Sequence, residues 1–143
     1  MYLLDANVIV RFLTNDDPVQ SPAAFQLFKK AIEKNLTFIL HPLVIAECCY
    51  VLESKRYSHT KKEIAENLSQ LIASSNIKTV EMDIILAALV EYCKQNVDIT
   101  DAFLAVSVNH SNDLHATITW NYKDFRRLST EFYTPEDIIT KKE

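Results

Sequence analysis

Short apolar runs alternate along the chain with longer segments of helical periodicity. The runs cover residues 2–4, 37–40, 78–81 and 115–120, and a short last one covers residues 132–133. Strands that are separated by helices form βαβ units, in which the strands run parallel and the helices pack on the sheet. The pattern therefore predicts an α/β fold with a mainly parallel sheet and helices on both of its faces. One helix is marked by a capping box, Thr60 followed by Glu63.

The chain contains no glycine among its 143 residues. At ordinary usage a chain of this length would contain about ten. Dinucleotide fingerprints, Walker A loops and the nucleophile elbow of hydrolases all need glycine, so these sites are excluded and no nucleotide cofactor is expected. Helix ends and tight turns must use Asn, Asp, Ser or Pro instead.

The length predicts a single domain over residues 1–143. The three cysteines have no metal-binding or redox spacing, which favours reduced thiols. No apolar run is long enough to span a membrane. The start of the chain does not resemble a signal peptide, because Asp5 interrupts its apolar run and no basic residue precedes that run. We therefore expect a cytoplasmic protein without a membrane partner.

Two carboxylates stand where the pattern is apolar. Asp5 directly follows the first apolar run, at the end of a strand where open α/β sheets form their ligand crevice; its alternative role is to cap the next helix. Glu47 has apolar neighbours one turn away in both directions along its helix, so burial without a cation or a basic partner would be costly. Both residues are candidates for a site.

A second group of polar residues lies further along the chain. Asp98 and Asp101 are three residues apart in the first turn of one helix, and we expect Asp98 at the rim and Asp101 at the border of a buried stripe. The favourable end of the helix dipole is the alternative explanation for both. Thr119, Asn121 and Asp124 follow a predicted strand, either as site residues or as a simple turn.

Together these carboxylates suggest a site for a hard cation. Mg²⁺ prefers oxygen ligands and is held in proteins by a few carboxylates together with substrate phosphate. The formal net charge of −4 is not typical of a nucleic-acid-binding protein. An acidic site with a bound cation would nevertheless suit a phosphate backbone, and could cleave it.

Four stretches in this order resemble a PIN-domain nuclease, most closely the VapC-type toxins of toxin–antitoxin pairs. They are Leu4-Asp5-Ala6-Asn7-Val8-Ile9, Ile45-Ala46-Glu47, Asp98-Ile-Thr-Asp101-Ala102 and Thr119-Trp-Asn121-Tyr-Lys-Asp124-Phe125. The resemblance covers essentially the whole chain. It departs from the family pattern at Ala6, where Ser or Thr is frequent, and at Asn121, where many members have Asp.

The resemblance implies a three-layer αβα sandwich and an endoribonuclease that depends on Mg²⁺ or Mn²⁺. It implies that Asp5, Glu47 and Asp101 are catalytic metal ligands and that Asp98, at an accessory position, is a further metal-binding residue. Accessory positions, by the same resemblance, are Asn7, Thr119, Asn121 and Asp124. The expected partners are an RNA substrate, a cognate antitoxin that blocks the site, and a second copy of the chain in a homodimer.

Basic residues near the last motif, Lys123, Arg126 and Arg127, are candidates for RNA contact, although such charges usually form a solvated surface. Two alternatives to a nuclease stay open. One is a PIN-like domain that binds RNA or a protein without cleavage, which Asn121 would favour. The other is a phosphotransfer enzyme with Asp5 as its nucleophile.

Overall fold

The computed structural model describes residues 1–140, and the chain divides into two units, Met1–Met82 and Asp83–Glu143. All strand pairs in both units are parallel, which confirms the predicted α/β class with parallel strands. The single domain over residues 1–143 stays a prediction.

The first unit contains a parallel sheet with strand order β1-β2-β3. In its register, Tyr2 lies opposite Phe38, and Phe38 lies opposite Ile77. The elements of this unit are β1 (Tyr2–Leu3), α1 (Ala6–Thr14), α2 (Gln20–Glu33), β2 (Phe38–Ile39), α3 (Pro42–Glu53), α4 (Lys61–Ile72) and β3 (Ile77–Lys78). The apolar run at residues 2–4 suggests a buried strand, but β1 is an edge strand of this sheet: the side chains of Tyr2 and Leu3 are exposed, and only Leu4, after the strand, is buried.

The second unit contains two paired strands, β4 and β5. Its elements are α5 (Met82–Lys94), which begins at the last residue of the first unit, α6 (Ile99–Asn109), β4 (Thr117–Ile118), α7 (Tyr122–Arg127), β5 (Phe132–Tyr133) and α8 (Pro135–Thr140). One of the two alternatives that the sequence left open after β4 was a simple turn, and the structure has the six-residue helix α7 there instead.

Each unit buries apolar side chains from its helices and strands. In the first unit the fully buried residues include Ile9, Leu40, Ile45, Leu52, Ile64, Leu68 and Ile72. In the second unit it includes Ala88, Leu89, Tyr92, Ala102 and Phe125. The three cysteines are free thiols, as expected, and Cys48 and Cys49 are buried. Within residues 1–140, no helix has both the length and the apolar character needed to cross a membrane.

Left-handed backbone positions are occupied by residues other than glycine. Their φ angles lie between 50° and 55°, at Asn15, Asn35, Ser58, Glu81, Asn96 and Ser129. Asparagine tolerates this conformation because its short polar side chain can hydrogen-bond locally. Five of the six positions thus carry Asn or Ser, two of the residue types expected for a chain without glycine.

Candidate active site

Asp5 follows strand β1 and begins helix α1. Its backbone is extended, and its Oδ1 accepts a hydrogen bond of 2.8 Å from the backbone N–H of Ala6. The capping role is therefore confirmed. Its carboxylate is exposed at the end of a strand, so the cap does not exclude a second role in binding.

Glu47 is exposed on helix α3, and the expectation that it is buried on an apolar face is wrong. The buried positions of α3 are Ile45, Cys48, Cys49 and Leu52, which form one helical stripe. Glu47 lies on the opposite side of the helix. Of the four neighbours that suggested an apolar environment, Leu43 (74%) and Tyr50 (48%) are exposed, and Val44 and Val51 are half-buried.

Glu47 lines an open cavity of about 430 Å³ in the first unit. Asn7, the accessory candidate, lines the same cavity. The carboxylates of Glu47 and Asp5 both act on the buried thiol of Cys48. Burial first, and then the negative charges of Cys49, Glu47 and Asp5, raise the pKa of this thiol to about 12. The negative charges of Asp5 and Glu47 therefore both act on the same thiol of α3.

In the second unit, Asp98 and Asp101 are located as the sequence predicts. Asp98 is the exposed N-cap residue of α6, and its side chain makes no capping hydrogen bond. Asp101 lies in the first turn and is half-buried. Burial raises the pKa of Asp101, and the charges of Asp98 and Asp124 raise it further, against the effect of a hydrogen bond from Asn121. Ionised Asp101 therefore lies in an unfavourable, negatively charged environment.

The side-chain amide of Asn121 lies between two of these carboxylates. Its nitrogen donates to Oδ2 of Asp101 at 2.9 Å and to Oδ2 of Asp124 at 3.0 Å. The backbone N–H of Asn121 donates to the hydroxyl of Thr119 at 2.9 Å, which holds the start of α7. Two of the accessory candidates, Asn121 and Asp124, thus contact Asp101 or each other, and Thr119 supports them.

Asp124 has a cationic partner, Arg127, whose guanidinium donates to its carboxylate. This hydrogen bond, followed by the one from Asn121, lowers the pKa of Asp124. Among residues 1–140, Asp101 forms no ion pair of this kind. Asp101 is therefore a half-buried acid that receives a hydrogen bond from Asn121 but has no cationic partner among these residues.

The three RNA-contact candidates lie on α7 in different settings. Lys123 is exposed, the guanidinium carbon of Arg126 lies 5.2 Å from the centre of the Tyr122 ring, and Arg127 is paired with Asp124. Cations near the end of a helix also interact favourably with its dipole. The exposed groups available to a phosphate are thus Lys123 and Arg126.

The donor atoms of the candidate residues are suited to Mg²⁺ or Mn²⁺, because they are carboxylate oxygens. In neither unit, over residues 1–140, do three His, Cys, Asp or Glu side chains form an arrangement that could hold a metal ion by themselves. Asp5 and Glu47 lie in the first unit and Asp98 and Asp101 in the second, and none of the four belongs to such an arrangement.

The structure also identifies residues that the sequence did not single out. Arg11 and Tyr57 line the same cavity as Glu47 and are hydrogen-bonded to each other at 2.9 Å. The only sequence signal is a basic residue, Arg11, within an otherwise apolar or neutral first helix. Its partner lies 46 residues further along the chain, so no local pattern connects the two.

A comparison with protein-family models gives one match, to the model described as PIN domain, over residues 2–129. The matched range contains every candidate residue considered above. No match to a curated protein was found.

Proposed function

The chain belongs to the PIN-domain family, whose members are in general nucleases, and on this premise we propose that it is a metal-dependent endoribonuclease. Family membership confirms the predicted α/β fold class, for which the family has a three-layer αβα sandwich. It also favours a nuclease over a phosphotransfer enzyme with Asp5 as nucleophile. RNA as substrate, dependence on Mg²⁺ or Mn²⁺, and the residues below are part of the proposal.

The observation that carries the proposal is the environment of Asp101. A half-buried carboxylate with two like charges nearby and no ion pair of its own is a group that a bound cation would stabilise. We propose that Asp5, Glu47 and Asp101 hold the cation, with Asp98 assisting. Bound Mg²⁺ or Mn²⁺ supplies an activated water and stabilises the charge that develops on the phosphate.

The accessory residues act on the orientation of the acidic groups. Thr119 holds the backbone of Asn121, and Asn121 holds the carboxylates of Asp101 and Asp124 in fixed positions. Arg127 restrains Asp124. In this proposal Asn7 contributes a polar group beside Glu47, and Lys123 and Arg126 contact RNA phosphates, with Arg127 reaching RNA only if it leaves Asp124.

The test is cleavage of structured RNA by the purified protein with Mg²⁺, with Mn²⁺ and with EDTA, in parallel with Asp5→Asn. Asparagine caps a helix as well as aspartate does, so Asp5→Asn should keep its stability and lose its activity. Asp113→Asn is the matched control, because it also removes one exposed acid, from a loop. Equal cleavage by wild type and Asp5→Asn, or no cleavage by wild type with either metal, would contradict the proposal.

A second candidate function is an RNA- or protein-binding domain without cleavage. It is favoured by Asn121, whose amide donates to the two carboxylates and brings no charge for a cation. RNA binding in a mobility-shift assay with EDTA, together with no cleavage when Mg²⁺ or Mn²⁺ is added, would support this alternative.

We further propose that the protein is a homodimeric toxin with a cognate antitoxin, since PIN-domain proteins commonly bind RNA and antitoxins. Expression of the wild type should then arrest growth, and expression of Asp5→Asn at the same level should not. Light scattering would measure the mass of the assembly. Growth that is unaffected by the wild type would contradict the toxin role.

A further inference from the structure

The cavity beside Glu47 carries two arginines and two tyrosines on its walls. It has a volume of about 430 Å³, which lies in the range of small-ligand sites. Its polar and aromatic lining consists of Asn7, Arg11, Glu47, Tyr50, Arg56 and Tyr57. All of these residues belong to the first unit. The proposed function uses Glu47 and Asn7 but gives no role to the other four.

Arg11 is held in one orientation by three side chains. Its Nε donates to Gln20 at 2.8 Å, and its Nη1 donates to Asp16 at 3.2 Å and to the hydroxyl of Tyr57 at 2.9 Å. The side chain is only 20% exposed. A guanidinium that is fixed in this way loses little conformational entropy when it binds a ligand.

Arg56 shares the carboxylate of Asp16 with Arg11. Its Nη2 donates to Oδ2 of Asp16 at 3.2 Å, and its guanidinium carbon lies 5.1 Å from the centre of the Tyr57 ring. A hydrogen bond from Thr14 first, and then those from Tyr57 and Arg11, lower the pKa of Asp16 to about 2, although partial burial opposes this. Asp16 is therefore ionised at neutral pH.

Two guanidinium groups thus share the carboxylate of Asp16, while Asp17 also interacts with Arg11 and Glu47 lies on the cavity wall. The side chain of Arg56 is 64% exposed and can reach a ligand. The ring of Tyr50 is half-exposed on the same cavity. Arginine forks recognise phosphate, and exposed aromatic rings stack on unpaired bases.

We propose that this cavity binds one nucleotide of single-stranded RNA, with its phosphate on Arg11 and Arg56 and its base against the ring of Tyr50. The proposal rests on the proposed function, because Glu47 on the cavity wall would place this nucleotide beside the cleaved bond. Tyr57 is a positioning residue: its hydroxyl holds Arg11 and its ring supports Arg56.

The test measures binding in EDTA, so that no cleavage takes place. The probe is a fluorescently labelled single-stranded oligoribonucleotide, and uridine monophosphate and inorganic phosphate are competitors. Arg56→Ala and Tyr50→Leu are the variants, because both side chains are exposed enough to be replaced without loss of the core. Lys78→Ala is the matched control, since it removes an exposed positive charge in the same unit outside the cavity.

We expect Tyr50→Leu to weaken binding about tenfold, the effect of losing one base–aromatic stack. Arg56→Ala should weaken binding by a similar factor and reduce the slope of log K against log salt by about 1. Lys78→Ala should change the dissociation constant less than about twofold. Uridine monophosphate should compete better than inorganic phosphate.

If Arg56→Ala and Lys78→Ala weaken RNA binding equally, the proposal is overturned, because Arg56 would then contribute only through the general positive charge of the surface. Binding that is insensitive to Tyr50→Leu, or competition by phosphate as strong as by the nucleotide, would overturn the nucleotide assignment. If the wild type cleaves RNA and the cavity variants bind as it does, the cavity proposal fails alone. If the wild type does not cleave but its binding depends on Arg56 and Tyr50, the nuclease proposal fails alone.

Discussion

Replacement of Asn121 by aspartate tests whether this amide stands in for a cation between two carboxylates. Asn121 donates to Asp101 at 2.9 Å and to Asp124 at 3.0 Å. Asn121→Asp removes both hydrogen bonds and puts a third negative charge within contact distance of the other two. We expect a protein that is less stable without metal and that gains more stability than the wild type when metal is added.

The magnitude follows from these two contacts. Hydrogen bonds to charged groups contribute about 1.5–3 kcal/mol each, and the low end applies because Asn121 is exposed. Two like charges at about 4 Å repel by about 1 kcal/mol when water screens them. The total cost is about 4–5 kcal/mol, which lowers Tm by roughly 10 °C or more for a chain of this size. Asn121→Ala loses the hydrogen bonds but adds no repulsion, so its free energy of unfolding should be about 2 kcal/mol higher than that of Asn121→Asp.

The assay is thermal unfolding of the three proteins in EDTA, in EDTA with high salt, and with Mg²⁺ or Mn²⁺. High salt should reduce the difference in Tm between Asn121→Asp and Asn121→Ala, because salt screens the repulsion but does not restore the hydrogen bonds. Metal should raise the Tm of Asn121→Asp most. If the two variants are equally stable in EDTA, or if metal shifts both by the same amount, the reasoning about the amide is wrong.

Three further predictions concern stability in the absence of metal. Burial and neighbouring carboxylates raise the pKa of Asp101, so its ionisation lowers the free energy of unfolding as the pH rises from 3.8 through the raised pKa. Asp101→Asn cannot ionise, so in urea unfolding at pH 7 this variant should have a higher free energy of unfolding than the wild type. Leu52→Ala, at a fully buried position, should cost about 2–5 kcal/mol in the same assay, and Leu43→Ala, at a position 74% exposed on the same helix, less than about 0.5 kcal/mol. Ser58→Gly should stabilise by up to about 1 kcal/mol, since Ser58 has a φ of 50°, whereas Ser75→Gly should not, and a thermal shift of opposite sign would contradict the left-handed assignment.

The local features of the fold could be predicted from the sequence because their determinants lie within a few residues. The capping box of Thr60 and Glu63 is present as the spacing indicates, with the Glu63 N–H bonded to the Thr60 hydroxyl at 3.2 Å. Asp5 caps α1 through the next residue along the chain. The parallel pairing followed from the alternation of strands and helices, which leaves no short connection for a hairpin.

The environment of Glu47 could not be predicted in the same way. Almost every position of α3 is apolar, so the sequence has no polar stripe to show which side of the helix faces the core. The structure resolves this, since Cys48 and Cys49 are buried while Tyr50 is half-exposed. A helix with little amphipathic contrast can therefore place a carboxylate in solvent even when its neighbours in sequence are hydrophobic.

The amide at position 121 shows what is gained and lost when a neutral group replaces an acid in a cluster of carboxylates. Its contact with Asp101 spans 20 residues, so the sequence could locate both residues near strand and helix ends but could not join them. An acid there would add charge for a cation and would repel Asp101 and Asp124 whenever the cation is absent. The amide donates to both at no cost in charge, which favours the metal-free protein. The same residue should therefore lower the affinity for metal and raise stability without it, and both effects should reverse together in Asn121→Asp.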